Sequence, residues 1–226
     1  MKSMKRTGAF SRARVLQACF VLAAMVVAFS LTASAANPPP PAANTLSHLA
    51  ITHGPFLQAP SERGITVSWA TSRKCLSWVE YRPESSARWL TNIPAHHGLR
   101  DADVTVHNVA LAGLAPGTRY VYRAVSREIA QYKPYKVIYG ETVASTQQRF
   151  TTFDAGKVST SFVVVNDRHE QVDPLAASLA SVDWAGVDAV FLNGDMVDAV
   201  KDEAQLYRCV VDPCAASFGS RIRLVY

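Results

Sequence analysis

Cysteine is scarce in this chain, with four in 226 residues. None falls at the Cys/His spacing of a zinc finger, so a small metal-stapled fold is excluded. Clusters of one charge sign are missing as well. The formal charge of +5 reflects 23 Lys and Arg against 18 Asp and Glu. Lys2, Lys5, Arg6, Arg12 and Arg14 supply that whole excess. Beyond residue 35 the chain is balanced and offers no basic patch, so no nucleic-acid partner is expected. With 49% hydrophobic residues, the length allows one large or two modest domains and a sizeable core.

The first 35 residues contain no acid. A basic segment runs through Arg14, an apolar stretch follows from Val15 to Leu31, and Ala33-Ser34-Ala35 closes it. This is the layout of a secretory signal peptide cleaved before Ala36. It predicts a secreted or periplasmic protein. The other reading is an uncleaved anchor, which would give the chain its only membrane contact. Residues 36–50 form a linker around Pro38-Pro39-Pro40-Pro41, a run that favours extended polyproline and cannot join a sheet. Cleavage would leave Cys75, Cys209 and Cys214. Cys209 and Cys214 are a candidate disulfide across Val-Val-Asp-Pro if Pro213 breaks a helix there; two buried thiols are the alternative.

Residues 51–154 read as an all-β domain. Ile65-Thr66-Val67-Ser68-Trp69 alternates strictly, with Ile65, Val67 and Trp69 toward a core. Further strands are expected at Trp78–Arg82, Val104–Leu111 and Gln148–Phe153. The run Leu114-Ala115-Pro116-Gly117-Thr118-Arg119-Tyr120 resembles the turn into the sixth strand of fibronectin type III domains. The resemblance makes Tyr120 a tyrosine corner, its ring inward and its hydroxyl bonded to the turn backbone. His96-His97 reads as an exposed loop pair with no nearby carboxylate. Tyr132, Tyr135 and Tyr139 read as lining a hairpin, with an aromatic binding strip as the alternative.

Residues 158–226 read as strand, helix, strand, helix, strand. Phe162-Val163-Val164-Val165 is β-branched without polar alternation, which predicts a strand buried on both faces. Asp188–Leu192 repeats the pattern. The first helix is expected over Pro174–Val182, with Leu175, Leu179 and Val182 on its inner face. The second is expected from Val200 to Cys209, with Val200, Ala204 and Tyr207 inward. In such βαβ units ligands bind at the carboxyl ends of the strands. Asp167, His169 and Asp195 fall there, and two carboxylates with an imidazole suit a divalent or trivalent metal.

Asp167-x-His169 followed by Gly194-Asp195-x-x-Asp198 resembles the first two motifs of the calcineurin-like metallophosphoesterases. The resemblance implies a dinuclear site holding iron, manganese or zinc. It would make Asp167 and His169 ligands of one ion and Asp195 the bridge to a second. The family's Gly-Asn-His-Glu or Gly-Asn-His-Asp motif and its later His motifs are absent. The chain stops at Arg221–Tyr226, which reads as a third strand with its motif cut off, so at most one ion is expected and no catalytic acid or base is assigned. The missing second sheet should leave an apolar sheet face exposed. Asp198 stands where purple acid phosphatases carry a Tyr iron ligand, which argues against a purple site. Asp198 is a candidate for orienting a ligand or for starting the next helix as an N-terminal carboxylate, Asn166 for orienting a ligand or as a plain loop residue, and Arg168 and Glu170 for local ion pairing or the rim.

The order of leader, fibronectin-like sandwich and α/β segment resembles secreted purple acid phosphatases, as does Gly54-Pro55-Phe56-Leu57-Gln58. The resemblance implies a secreted metal-dependent phosphoesterase, acting on a phosphate ester and represented by its N-terminal part. On this reading the chain is inactive alone, and a complementing C-terminal fragment is a possible partner. The competing reading is a non-enzymatic binding module built on the front domain.

Overall fold

The computed structural model describes residues 48–225. The expected leader and most of the linker lie outside the described residues.

The front half is built from β1 (Ile51–Gln58), β2 (Gly64–Pro83), β3 (Leu90–Asn92), β4 (Ala95–His96), β5 (Leu99–Arg100), β6 (Val104–Ala112), β7 (Arg119–Lys133), β8 (Lys136–Ala144) and β9 (Gln148–Thr151). The two strands expected at 65–69 and 78–82 are one 20-residue strand, β2. Its first part pairs with β1 and β6, and its second part with β7 and β3. The register breaks between Ala70 and Cys75. A bulge there lets one strand turn the corner from one layer to the other without a Gly or Pro.

Alternation then decides the core. Ile65, Val67 and Trp69 from β2 meet Val109 and Leu111 from β6 and Tyr120, Tyr122 and Phe150 from the opposing layer. The Trp69 indole N–H donates to Ser126 Oγ at 2.9 Å, so its one polar atom is satisfied inside. Tyr120 is the expected corner: its ring stacks on Phe150 and its hydroxyl accepts the Ala115 N–H at 2.9 Å.

The back half contains β10 (Phe162–Asn166), α1 (Val172–Ala180), β11 (Ala189–Asn193), α2 (residues 203–219) and β12 (Arg223–Val225). The three strands are parallel, in the order β10-β11-β12, and β12 also pairs in parallel with β1. One continuous sheet therefore joins the two halves. The Tyr122 hydroxyl reinforces the seam by donating to the Ser220 carbonyl at 2.7 Å, and burial raises that phenol's pKa. His53 adds a contact, bonding Asp212 at 2.9 Å and stacking on Tyr207.

Both helices pack on one side of this sheet, where Leu175 and Leu179 of α1 and Cys214 and Phe218 of α2 meet Val165, Val190 and Leu192. The other side is open, contrary to a strand buried on both faces. Phe162 is 59% exposed and Val164 48%, with Phe191 edge-on to Phe162 at 5.5 Å. Among the described residues no second layer covers them.

The second helix departs from expectation at both ends. Asp202 caps it by accepting the Gln205 N–H at 2.7 Å, so helix begins at Glu203. Val200 lies outside it and is 62% exposed, and Gln205 and Cys209 take the buried positions instead of Val200 and Ala204. The helix also runs on through Pro213. Proline has no N–H for the carbonyl four residues back. The turns over Tyr207–Val211 and Ala215–Gly219 widen to π-type bonding, which re-routes the backbone hydrogen bonds. The candidate disulfide partners Cys209 and Cys214 are accordingly two free, buried thiols on one helix. Burial pushes the Cys214 thiol up to about 12, and that of Cys75 up to about 11. Neither is poised as a nucleophile.

Candidate functional site

The carboxyl ends of β10 and β11 lie side by side, with Asn166 opposite Asn193. The Asn193 side-chain N–H donates to Asn166 Oδ1 at 3.3 Å, so Asn166 fastens the two strand ends. Beyond it the backbone enters the left-handed region at Asp167, His169 and Glu170. Three non-glycine residues in that region within four positions mark a loop held by its surroundings. The hold comes from the neighbouring loop: the His169 N–H donates to Asp195 O at 2.9 Å and the Glu170 N–H to Met196 O at 3.0 Å.

The side chains continue this interlock. Asp167 Oδ1 accepts the Asp195 N–H at 3.1 Å. The Asp167 carboxylate lies over Gly194, where a Cβ would fall 2.1 Å from its oxygen and φ is +73°. Glycine at 194 is thus required both by the backbone and by the carboxylate above it. His169 Nδ1 bonds Asp198. That bond chiefly holds the imidazole above its ordinary pKa, burial opposes it, and the charges of Asp198, Asp195 and Asp167 add to it. Asp198 therefore orients His169 through one ring nitrogen, the role a carboxylate plays behind a metal-bound histidine.

The donor chemistry suits an ion. The arrangement does not close around one: among the described residues no group of three or more His, Cys, Asp or Glu side chains gathers as an ion-holding cluster. Asp167 is turned to the Asp195 backbone and His169 to Asp198.

Two neighbours behave differently from their sequence reading. Arg168 forms no ion pair among the described contacts. It donates to Ser178 Oγ of α1 at 3.3 Å, and its buried Nε has no partner. Glu170 accepts from the Gln205 amide at 2.7 Å, tying the loop to α2. The Gln205 role was signalled by Asp202-x-x-Gln205, a capping-box spacing. His96 does have a carboxylate in reach, Asp101 at 2.8 Å. Cavities of about 620 and 590 Å³ lie on the front sandwich and along its seam with α2, away from the strand-end loops.

The front half is thus a two-layer sandwich with a tyrosine corner, continued by a parallel βαβαβ segment. Residues 53–152, the span of the sandwich, match the family model for the purple acid phosphatase N-terminal domain. No curated protein matches the chain. Among solved structures, a purple acid phosphatase from yellow lupin (Lupinus luteus) seeds aligns with a TM-score of 0.49 and 16% identity, over 76% of this chain and 34% of that one. A structure of PhoD aligns at 0.46 and 11% identity, over 75% of this chain and 37% of that one. The sensor domain of the anti-sigma factor RsgI4 from Pseudobacteroides cellulosolvens aligns at 0.30 and 13%, over 47% and 94%. The chain spans about a third of the length of the lupin phosphatase it matches.

Proposed function

We propose that these residues are part of a secreted metal-dependent phosphoesterase, with the sandwich as its N-terminal domain and the strand-end loops as one part of its metal site. The observation that carries the reading is the interlock of Asp167-x-His169 with Gly194-Asp195, through the Asp195 N–H to Asp167 and the His169 N–H to Asp195. The family match at residues 53–152 supports it. Asp167, His169 and Asp195 are the residues that would hold an ion, with Asp198 and Asn166 in support. An ion bound to such a set supplies Lewis-acid chemistry toward a phosphate ester. The identity of the ion, iron, manganese or zinc, and of the ester belongs to residues outside this set. These three ligands serve one ion at most, so the chain alone is expected not to turn over.

The test is hydrolysis of an aryl phosphate by the purified chain with manganese, zinc or iron, alongside its unfolding temperature. Absence of turnover, with an ion-dependent rise in unfolding temperature lost in Asp195→Ala, is the expected result. Turnover abolished by Asp195→Ala would overturn the inactivity claim. No response of either kind would favour the second reading, a binding module centred on the sandwich. One observation favours that reading: the family match covers the sandwich and no ion-holding group is assembled among the described residues.

A further inference from the structure

The end of β7 and the start of β8 extend beyond the sandwich core as a two-stranded ribbon whose tip is Lys133-Pro134-Tyr135-Lys136. Tyr132 pairs with Val137 across the ribbon, and Lys133 with Lys136. Its side chains meet no apolar layer: Tyr132, Val137, Ile138 and Tyr139 are all exposed, and Tyr135 at the tip is fully so. Tyr135 sits at φ +62°, a conformation that favours glycine or asparagine over a bulky side chain. The outermost point of the ribbon is thus an aromatic ring where a turn would ordinarily place a small residue.

The charge pattern points to the occupant. Residues 129–140 contain two lysines, three tyrosines and no acid; the flanking Glu128 and Glu141 are turned to Arg73 and His48. The two lysines face each other in register, and like charges directly opposite on a ladder repel. An anionic surface relieves that repulsion. Tyrosine, with an apolar body and a polar tip, partitions to the boundary between headgroups and acyl chains. Lysines beside such rings meet lipid phosphates. A free anion would use the lysines but leave Tyr132, Tyr135, Val137 and Ile138 without a role, Tyr139 being held under Arg127; a lipid surface uses both sets.

We propose that the β7–β8 tip docks the protein on a membrane surface carrying anionic phospholipid, with Tyr135, Tyr132 and Val137 entering the headgroup boundary and Lys133 and Lys136 meeting the phosphates. This surface is separate from the expected leader and independent of the phosphoesterase reading.

Tyr135→Trp in the full chain provides a local probe, its emission read as the difference from the parent chain. Equimolar phosphatidylcholine–phosphatidylserine vesicles should shift that emission to the blue, and brominated acyl chains should quench it. Phosphatidylcholine vesicles should do neither. Adding Lys133→Gln with Lys136→Gln, which leaves the leader untouched, should weaken the response about thirtyfold, the combined weight of two lysines at an anionic surface. Adding Tyr132→Ser with Val137→Ser should abolish the quenching. Emission unchanged by anionic vesicles, or an equal response to phosphatidylcholine alone, overturns the proposal. A response to soluble dextran sulfate with none to vesicles also overturns it, in favour of a polyanion.

Discussion

In the sandwich, β2 and β6 place alternate residues between two layers, so Trp69, Val109, Leu111, Tyr122 and Phe150 are sealed from both sides. In the parallel sheet, β10 and β11 are more continuously apolar, yet one face alone is covered, where Val165, Val190 and Leu192 meet α1 and α2. Phe162, Val164 and Phe191 face outward. Two stretches of similar hydrophobicity meet opposite fates because burial is set by what packs opposite, not by the strand itself. The contrast extends to polar atoms. Tyr120 and Trp69 have their hydrogen bonds in the sandwich, while the back half leaves Arg168 Nε buried without a partner. The family match follows the same division, covering the sandwich at residues 53–152.

The largest expected effect divides the halves. Phe218→Ala removes a fully buried ring from the back core and should cost about 3–5 kcal/mol. Hydrogen exchange should then show β10, β11 and the helices deprotected while β2, β6 and β7 keep their protection. Loss of protection in both halves together would make them one cooperative unit and erase the distinction.

Next comes acid sensitivity, which belongs to the sandwich. His107 is buried beside Trp69 and shares a hydrogen bond with Thr71 at 2.9 Å. Burial holds its imidazole down at about 4, against an ordinary value of 6.5. Between those values the unfolded chain takes up a proton that the folded chain refuses. The stabilisation is therefore complete above 6.5 and is lost as pH falls toward 4, by about 3 kcal/mol. Denaturant titrations at pH 7 and pH 4.5 should show that loss in the parent chain and a much smaller one in His107→Gln.

A smaller effect is expected at Gly194. Gly194→Ala meets both a positive φ and the Asp167 carboxylate, and should cost roughly 1–3 kcal/mol. It should also release the loop at Asp167–Glu170, read as faster amide exchange there with the sandwich unchanged. The smallest effect sharpens the comparison itself. Phe162→Ser on the open face should change stability by less than about 0.5 kcal/mol while reducing self-association in light scattering. A large loss of stability would mean that face is covered after all.

Much of the sandwich was legible because its signals are local. Pro116-Gly117 fixes a turn, Tyr120 two residues after Thr118 fixes a corner, and strict alternation in Ile65–Trp69 fixes a face. Continuity of β2 was not legible, since a bulge at Ala70–Cys75 carries no Gly or Pro to mark or exclude it. The start of α2 was written in Asp202-x-x-Gln205, but the apolar Val200 masked it. Pro213 suggested a break that widened turns avoid. The strand-end loops were found from their spacing, but the pairing of Asp198 with His169 was not. The left-handed backbone at Asp167, His169 and Glu170 and the turning of Asp167 toward the Asp195 N–H depend on contacts between loops 28 residues apart in sequence, which no local pattern carries.

The most direct test of the phosphoesterase account is calorimetric titration of manganese into the full chain beside Asp195→Ala and Asp198→Asn. The account predicts one weak site, absent in Asp195→Ala and weakened roughly 10–100-fold in Asp198→Asn, as expected for a carboxylate that orients a metal-binding histidine. Equal binding in the parent and Asp195→Ala, or none in any of the three chains, would contradict it.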